Sequence, residues 1–419
     1  MSREQIKAPR GTFDVLGEEV PARLAIESRA RSVLGAAGYE RIETPTFEAT
    51  ELFARGVGAS TDIVSKEMFT FEDAGGRSLT LRPEGTAPVC RAYIEHGMHK
   101  RRQPVKLWYL SSFFRHERAQ AGRYRQFAQL GAEAIGSEDP AVDAEGIVLL
   151  ERLLAELGVR ELRLRLSSLG SPETRGEYRE RLQAHLRAHD DQLSEEVRGR
   201  IELNPLRAFD TDHPGTRAVM ESAPLLIDQL DAADREHFAE LRALLDEAGV
   251  IYELDPTLVR GLDYYTRTVF EFTSDALGAQ SGVAGGGRYD RLIAQLGGPP
   301  TPGIGWAAGI ERILLAGEHA PAAPAPLELF LAIDGAGPLR RVAFGLLNEA
   351  RSAGLAAQME LGGRSLKGQL SQAAALGARF VAIVGPGGQA VLKDMQAGEQ
   401  QTLATDGVVH AVLRSHHAL

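Results

Sequence analysis

Residues 113–136 read FFRHERAQAGRYRQFAQLGAEAIG. The ends are apolar and strand-like, and the middle is cationic. The spacing predicts two strands, Leu107–Phe114 and Gln126–Ile135, flanking a charged loop, His116–Arg125. Residues 100–125 hold Lys100, Arg101, Arg102, Lys106, Arg115, Arg118, Arg123 and Arg125 against one anion, Glu117. Trp108, Tyr109, Phe113, Phe114 and Tyr124 are interleaved with them. A charge run alone reads as a solvated face. Set among strand residues, it reads as cations held over a rigid floor for an anionic ligand.

On the N-terminal side, residues 20–37 are predicted as an amphipathic helix ending near Gly38. A strand follows, Tyr39–Thr44, and then Pro45. Proline has no ladder donor, so this strand is an edge, an end or an interface element. On the C-terminal side a helix is expected at 140–157. ELRLRLSSLG (161–170) alternates as a half-buried strand. Ser171-Pro172 then reads as an N-cap followed by proline at the first helical position. The chain is charged and helical from there to about 250. Val250–Leu254 and Val259–Phe272 follow, and then SGVAGGGRYDRL (281–292). By spacing alone its three glycines are a tight turn or a close backbone approach. PTPGIGWAAGIERILLAG (300–317) is a glycine-rich strand or turn leading into a helix.

EHAPAAPAP (318–326) has the composition of a semi-extended linker. Beyond it, strands 329–334, 356–361 and 380–385 alternate with helices 339–353 and 365–376, and two strands, 390–393 and 400–403, close the chain. That order predicts a separate α/β domain with a largely parallel sheet.

At roughly 100–200 residues per domain, a chain of 419 residues suggests two or three domains. With 43% hydrophobic and 25% charged residues, the composition is that of a globular protein. The single cysteine, Cys90, excludes an internal disulfide and a cysteine-held zinc, and fits a reducing compartment. No secretory signal or membrane-spanning run is visible. The net charge of −10 argues against a protein coated in nucleic acid.

Several chemistries are unsupported. GxxxxGK[ST] is absent, GGGR is not GxGxxG, and no G-x-S-x-G elbow is present. His185 and His189 lack a third ligand or a glutamate base, and read as a solvated helix face. What remains is arginine. Arg115 ends an apolar strand, Arg260 precedes Gly-Leu-Asp-Tyr-Tyr, and Arg312 follows Gly-Ile-Glu. Together they suit a site that neutralises a polyphosphate, where arginine binds charged oxygens bidentately. Glu84 and Glu133 could grip an amino group of a second substrate.

At these residues the chain resembles the bacterial histidyl-tRNA synthetases, within the class II aminoacyl-tRNA synthetases, over essentially its whole length. Residues 113–136 are similar to class II motif 2, GIGWAAGIERI (303–313) to motif 3, and the helix and strand before Pro45 to motif 1, the dimer element. LRPEGTAP (81–88) resembles the loop that contacts the amino acid. LVRGLDYYTRTVFEF (258–272) and AGGGRYDRL (284–292) resemble the two histidine-specific motifs. SSLGSPETR and NPLRAFD match the family's helical insertion, and VLKDMQAGEQ (391–400) its C-terminal domain. Ala119, Ala121 and Ala128 depart from the family's proline, basic residue and histidine.

The resemblance implies an α+β class II core, a mixed and mainly antiparallel sheet flanked by helices, over 1–320. It also implies a helical insertion at about 171–250, a linker at 318–326, and an α/β anticodon-binding domain at 327–419. Substrates would be L-histidine, ATP with Mg2+ on its phosphates, and histidine tRNA. No protein-held metal, a homodimer, a cytoplasmic location and no membrane association are implied with them. Glu84, Gly85 and Thr86 would hold the α-amino end of histidine. Gln129 and Glu133 would contact it and help read the imidazole, and Tyr264, Tyr265 and Tyr289 would complete the pocket. Arg115 and Arg260 would be the catalytic cations on the α-phosphate. Arg123 and Arg312, with Glu117 nearby, would hold the rest of ATP. Arg118 and Gln120 would face the tRNA acceptor end. Gly285–Gly287 would let a strand approach the bound histidine, so that Gly286→Val should raise KM for histidine above all.

Two other readings stay open: the related regulatory subunit of ATP phosphoribosyltransferase, which generally lacks the C-terminal domain, and an RNA-binding scaffold. Replacing Arg260 by alanine should lower histidine-dependent ATP–pyrophosphate exchange roughly 10²–10³-fold, the range for one preorganised donor. Exchange near the wild-type rate would remove Arg260 from the site.

Overall fold

The structure, a computed structural model, describes residues 5–58, 61, 63–117, 122–258, 262–278, 281–318, 327–335 and 337–416. The chain divides into two compact units, Met1–Pro321 and Ala322–Leu419.

The strands of the first unit are β1 (Glu40–Arg41), β2 (Phe47–Ala49), β3 (Thr70–Glu72), β4 (Ser78–Leu81), β5 (Val105–Phe114), β6 (Gln126–Ile135), β7 (Leu162–Ser168), β8 (Glu253–Leu254), β9 (Thr266–Ser274), β10 (Gly282–Arg288) and β11 (Gly303–Gly309). Eight form one sheet in the order β1-β5-β6-β11-β10-β9-β7-β8. The outermost pairs, β1/β5 and β7/β8, are parallel, and the pairings between them are antiparallel. A second sheet, β2-β4-β3, lies apart. The mixed, mainly antiparallel core expected from the sequence is present. The strand expected over 39–44 shrinks to β1, an edge that ends before Pro45.

Two hydrophobic cores surround the main sheet. In one, helices Glu19–Ala36, Pro140–Glu156 and Ala232–Glu247 contribute Leu34, Leu150, Leu153 and Leu241 against Leu130, Trp306 and Phe270 of the strands. The second core joins Phe53, Tyr93, Tyr109, Tyr264 and Tyr289 to Tyr178, Leu182 and Leu206. Those last three belong to the segment between β7 and β8, which is helical as predicted. Its first helix, Pro172–Ala188, starts with proline at N1, and the Ser171 hydroxyl accepts from the Thr174 amide at 3.2 Å. The insertion is thus packed into the same core as the residues around β5 and β10.

The glycine run is a strand, not a turn. Gly285, Gly286 and Gly287 pair with Ala307, Trp306 and Gly305 of β11. The following cation is inside the protein. Arg288 and Asp143 have no exposed side-chain surface, and Nη1 of the arginine lies 2.5 Å from Oδ1. Arg288 also donates to the Ser137 carbonyl at 2.6 Å and to Asp290, while Thr268 Oγ1 donates to Asp143 at 2.6 Å. Nearby His237 is held down to about 4 by burial and by the Arg288 and Arg267 guanidiniums.

The second unit holds β12 (Leu329–Ile333), β13 (Ala357–Met359), β14 (Phe380–Val384), β15 (Gln389–Asp394) and β16 (Gln400–Ala404) in the order β13-β12-β14-β15-β16. The first three strands are parallel, and the last two are antiparallel. The two expected helices are Pro338–Ser352 and Leu366–Ala375, and an unforeseen one, Val408–His416, ends the described chain. Its Val408, Val409 and Val412 are buried, so it completes the core of this unit.

The sheet also corrects the expectation for Gly286. A Cβ there would lie 2.2 Å from the Gly305 carbonyl oxygen and 2.8 Å from Trp306 Cα, that is, inside β11. Backbone atoms of a central strand cannot yield as a side chain can. Gly286→Val should therefore lower global stability by about 3 kcal/mol or more, beyond usual overpacking. Chemical denaturation would measure it, and a selective rise in KM for histidine at unchanged stability would contradict it.

Candidate active site

A cavity of about 170 Å³ opens on the face of the sheet that carries the second core. That is smaller than the roughly 300–1,000 Å³ of pockets for drug-sized ligands, and suits something of amino-acid size. Glu84, Gly85, Thr86, Tyr109, Gln129, Tyr264, Tyr265, Gly285, Tyr289 and Gly305 contribute to its wall, with Arg115 at its boundary. Thus Glu84, Gly85, Thr86, Gln129, Tyr264, Tyr265 and Tyr289, proposed from the sequence, converge on one cavity. Tyr264 sits T-shaped against both Tyr265 and Tyr289, with centroids 4.8 and 6.0 Å away.

Glu133 lies behind this wall, fully buried. Thr86 Oγ1 bonds its Oε1 at 2.8 Å, Tyr289 OH bonds its Oε2 at 2.7 Å, and Tyr109 OH reaches Oε1 at 3.5 Å. Burial pushes the Glu133 carboxyl up to about 8, against the pull of the Tyr289 and Thr86 hydroxyls. Burial likewise pushes the Tyr109, Tyr264 and Tyr289 phenols well above their ordinary value. Glycine makes the network possible. A Cβ at Gly305 would lie 1.6 Å from Glu133 Oε2, and one at Gly303 would lie 2.4 Å from the Tyr289 ring. Gly85 and Gly131 leave the slot for the Tyr109 ring, since a Cβ at either would approach Tyr109 Cζ to 2.4 or 2.3 Å.

Glu84 has a local job. Its carboxylate accepts from the Thr86 amide at 2.7 Å and the Ala87 amide at 3.0 Å, at the start of helix Thr86–Glu95. Burial raises its pKa, while those amides and Arg115 oppose the rise. An acid near a helix N-terminus is favoured by the helix dipole.

A second, larger cavity of about 580 Å³ shares Arg115, Gln129, Gly285 and Ala307 with the first. Arg123, Arg207 and Arg312 also line it, as do Glu67, Glu117, Glu271 and Glu311. The Arg115 Nε donates to the Pro83 carbonyl at 2.8 Å, and its guanidinium lies 5.2 Å from the Phe127 ring centre. Glu117 stands between Arg115 and Arg123, 3.7 Å from each. The Arg312 Nε donates to the Gly282 carbonyl, and burial, aided by Arg123, lowers its pKa. Arg118, Gln120 and Arg260 lie outside the described residues. No group of three or more His, Cys, Asp or Glu spaced for a metal occurs among the described residues. The ring nitrogens of His185 and His189 face the carbonyls of Val219 and His185.

Contributors not singled out from the sequence include Tyr109, Gly305 and Arg207, and the carboxylates Glu67, Glu271 and Glu311. The glycines carried a signal, because Gly131, Gly303 and Gly305 interrupt strand-like runs in which a residue without a side chain marks a close approach. Arg207 comes from the insertion, and its return to the cavity is a long-range event.

Comparison with known proteins agrees with this picture. The family model described as Histidyl-tRNA synthetase matches residues 11–313. A histidine–tRNA ligase from Desulforamulus reducens is 48% identical over 404 residues, covering 94% of this chain and 96% of that protein. One from Halorhodospira halophila is 48% identical, with 98% of each covered. The apo S. aureus histidyl-tRNA synthetase superposes with a TM-score of 0.79 at 37% identity, covering 97% of this chain and all of that one. A Bacillus halodurans structure described as an ATP phosphoribosyltransferase regulatory subunit/histidyl-tRNA synthetase gives 0.64 at 25% identity, covering 88% and 97%. By sequence and fold, the chain belongs to the histidyl-tRNA synthetase family.

Proposed function

We propose that this chain is a histidine–tRNA ligase: it activates L-histidine with ATP to histidyl-adenylate and pyrophosphate, then transfers histidine to the 3′ end of its tRNA. One observation supports the assignment of roles above others. The small tyrosine-walled cavity opens onto the arginine-lined one, and Arg115 lines both. An amino acid in the first would meet the α-phosphate of a nucleotide in the second beside that guanidinium.

The imidazole lies among Tyr264, Tyr265 and Tyr289, with Gln129 alongside, and the α-amino end lies near Glu84, Gly85 and Thr86. Glu133 orients the Tyr289 and Thr86 hydroxyls from behind the wall. The histidine carboxylate attacks the α-phosphorus and pyrophosphate departs. Negative charge grows on the α-phosphate oxygens, where Arg115 and, from its place in the sequence, Arg260 stabilise it. Arg123 and Arg312 hold the remainder of ATP. Mg2+ arrives on the outer phosphates as part of the substrate, facing Glu117 and Glu271; one or two carboxylates plus phosphates is its usual setting. The terminal adenosine hydroxyl of tRNA then attacks the adenylate carbonyl and AMP leaves. Arg118 and Gln120 meet the acceptor end, and residues 327–419 bind the anticodon. No enzyme nucleophile is needed, and orientation supplies much of the rate.

The protein acts as a cytoplasmic homodimer. The exposed edge strand β1 and the half-exposed rings of Phe47 and Phe71, 6.1 Å apart, are consistent with an interface there. No helix among the described residues is long and apolar enough to cross a membrane.

The purified chain should charge histidine tRNA with histidine and Mg2+-bound ATP, without a partner protein. A strict requirement for an ATP phosphoribosyltransferase partner, with no charging, would favour the regulatory reading. Glu133 gives a second test. Its pKa is raised from 4.5 to about 8, so the folded state holds a proton that the unfolded state releases between those values. This contribution to stability is complete below pH 4.5 and is lost as pH rises through about 8. In urea titrations of the unliganded protein, the stability of wild type relative to Glu133→Gln should fall across that window, by up to about 1.4 kcal/mol per pH unit. A difference independent of pH would show that the carboxyl is already ionised.

A further inference from the structure

We infer that Arg207, carried by the helical insertion, is a binding residue for the phosphates of ATP; this rests on the ligase reading above. Arg207 lines the 580 Å³ cavity together with Arg115, Arg123 and Arg312. Arg115 and Arg123 follow β5, and Arg312 lies in the helix after β11. The fourth comes from the 3-10 segment Pro205–Asp210, far away in sequence.

Its position is held by packing. Leu206 and Ala208, on either side, are buried in the core that also contains the tyrosines of the smaller cavity. The preceding chain is tied to helix Pro172–Ala188, where Gln183 Nε2 donates to the Ile201 carbonyl at 3.0 Å and Arg179 to the Leu203 carbonyl at 2.9 Å. That helix is in turn tied to the amino-acid pocket, because Arg175 Nη1 donates to the Tyr265 carbonyl at 3.0 Å. The backbone that carries Arg207 is therefore held from both flanks.

The charge of the cavity makes the fourth cation matter. Glu67, Glu117, Glu271 and Glu311 line it as well, so without Arg207 its carboxylates outnumber its arginines. Two of those carboxylates are offset from outside the lining, Glu311 by Arg23 at 2.7 Å and Glu271 by Arg165 at 3.4 Å. Arg207 adds a fourth guanidinium to Arg115, Arg123 and Arg312, on the wall formed by the insertion, where bidentate contact with phosphate oxygens is favoured.

The test is steady-state ATP–pyrophosphate exchange by the full chain, varying ATP and histidine separately, alongside tRNA charging. Arg207→Met should raise KM for ATP about tenfold or more, the scale of one charged hydrogen bond, and shift KM for histidine less than about twofold. Arg207→Lys, keeping the charge, should recover part of the loss. An unchanged KM for ATP with weakened charging would overturn the inference and assign Arg207 to the acceptor end. Equal rises in both KM values with a lowered melting temperature in both variants would also overturn it, as a purely structural role. If the wild-type protein showed no histidine-dependent exchange, the ligase reading itself would fail.

Discussion

A carboxylic acid with no exposed surface, set near the end of an interior strand, constrains everything around it. An unpartnered buried carboxyl costs several kcal/mol, so Glu133 must be met by hydroxyls from several directions. Thr86 comes from a helix start, Tyr109 from the neighbouring strand and Tyr289 from the end of β10. These partners also stand in the wall of the small cavity. Satisfying one buried acid and shaping the pocket are therefore one structural problem. The glycines of β6 and β11 are the other half of the solution, because a side chain at Gly131 or Gly305 would occupy the space of the tyrosine ring or the carboxyl itself.

Behind β10, a different kind of polar contact has the complementary task. Arg288 and Asp143 form a buried ion pair that links the end of the glycine strand to helix Pro140–Glu156. Thr268 and the Ser137 carbonyl satisfy further hydrogen-bonding capacity. Such a pair adds little net stability compared with apolar packing, but breaking it leaves a lone charge inside. It fixes where β10 ends and hence where Tyr289 begins. The insertion contributes a third restraint through Arg175 on the Tyr265 carbonyl. The pocket is thus held from the sheet, from behind the sheet and from the inserted helices.

Much of this was legible in the sequence, and the boundary is physical. β6 lies where the pattern put it, at Gln126–Ile135, because strand periodicity is local. The Ser171 cap and the helix after it were readable for the same reason. The site residues came from motif resemblance, and those that are described line the two cavities, except Glu133, which lies behind the wall. What could not be read was pairing between distant segments. The spatial order of the strands, Tyr109 as a partner of Glu133, and the return of Arg207 to the larger cavity all depend on contacts across long stretches of chain. Gly286 shows the finest limit. Period-two alternation says that neighbours in GGG face opposite sides, but not which of them faces the ligand; only Gly285 of the three lines the cavity.

The glycine wall has an evolutionary consequence. Gly85, Gly285 and Gly305 are already the smallest residues the genetic code offers. A side chain at Gly85 would meet the Tyr109 ring and one at Gly305 the Glu133 carboxyl, so neither position can take a larger residue without disturbing the wall. The remaining lining includes tyrosines whose hydroxyls hold the buried acid, so trimming them removes its partners along with their bulk. Room for a bulkier amino acid is open only at lining side chains that do not hold Glu133, such as Leu262 and Tyr265. The wall is thereby divided into positions locked by the buried acid and positions free to vary.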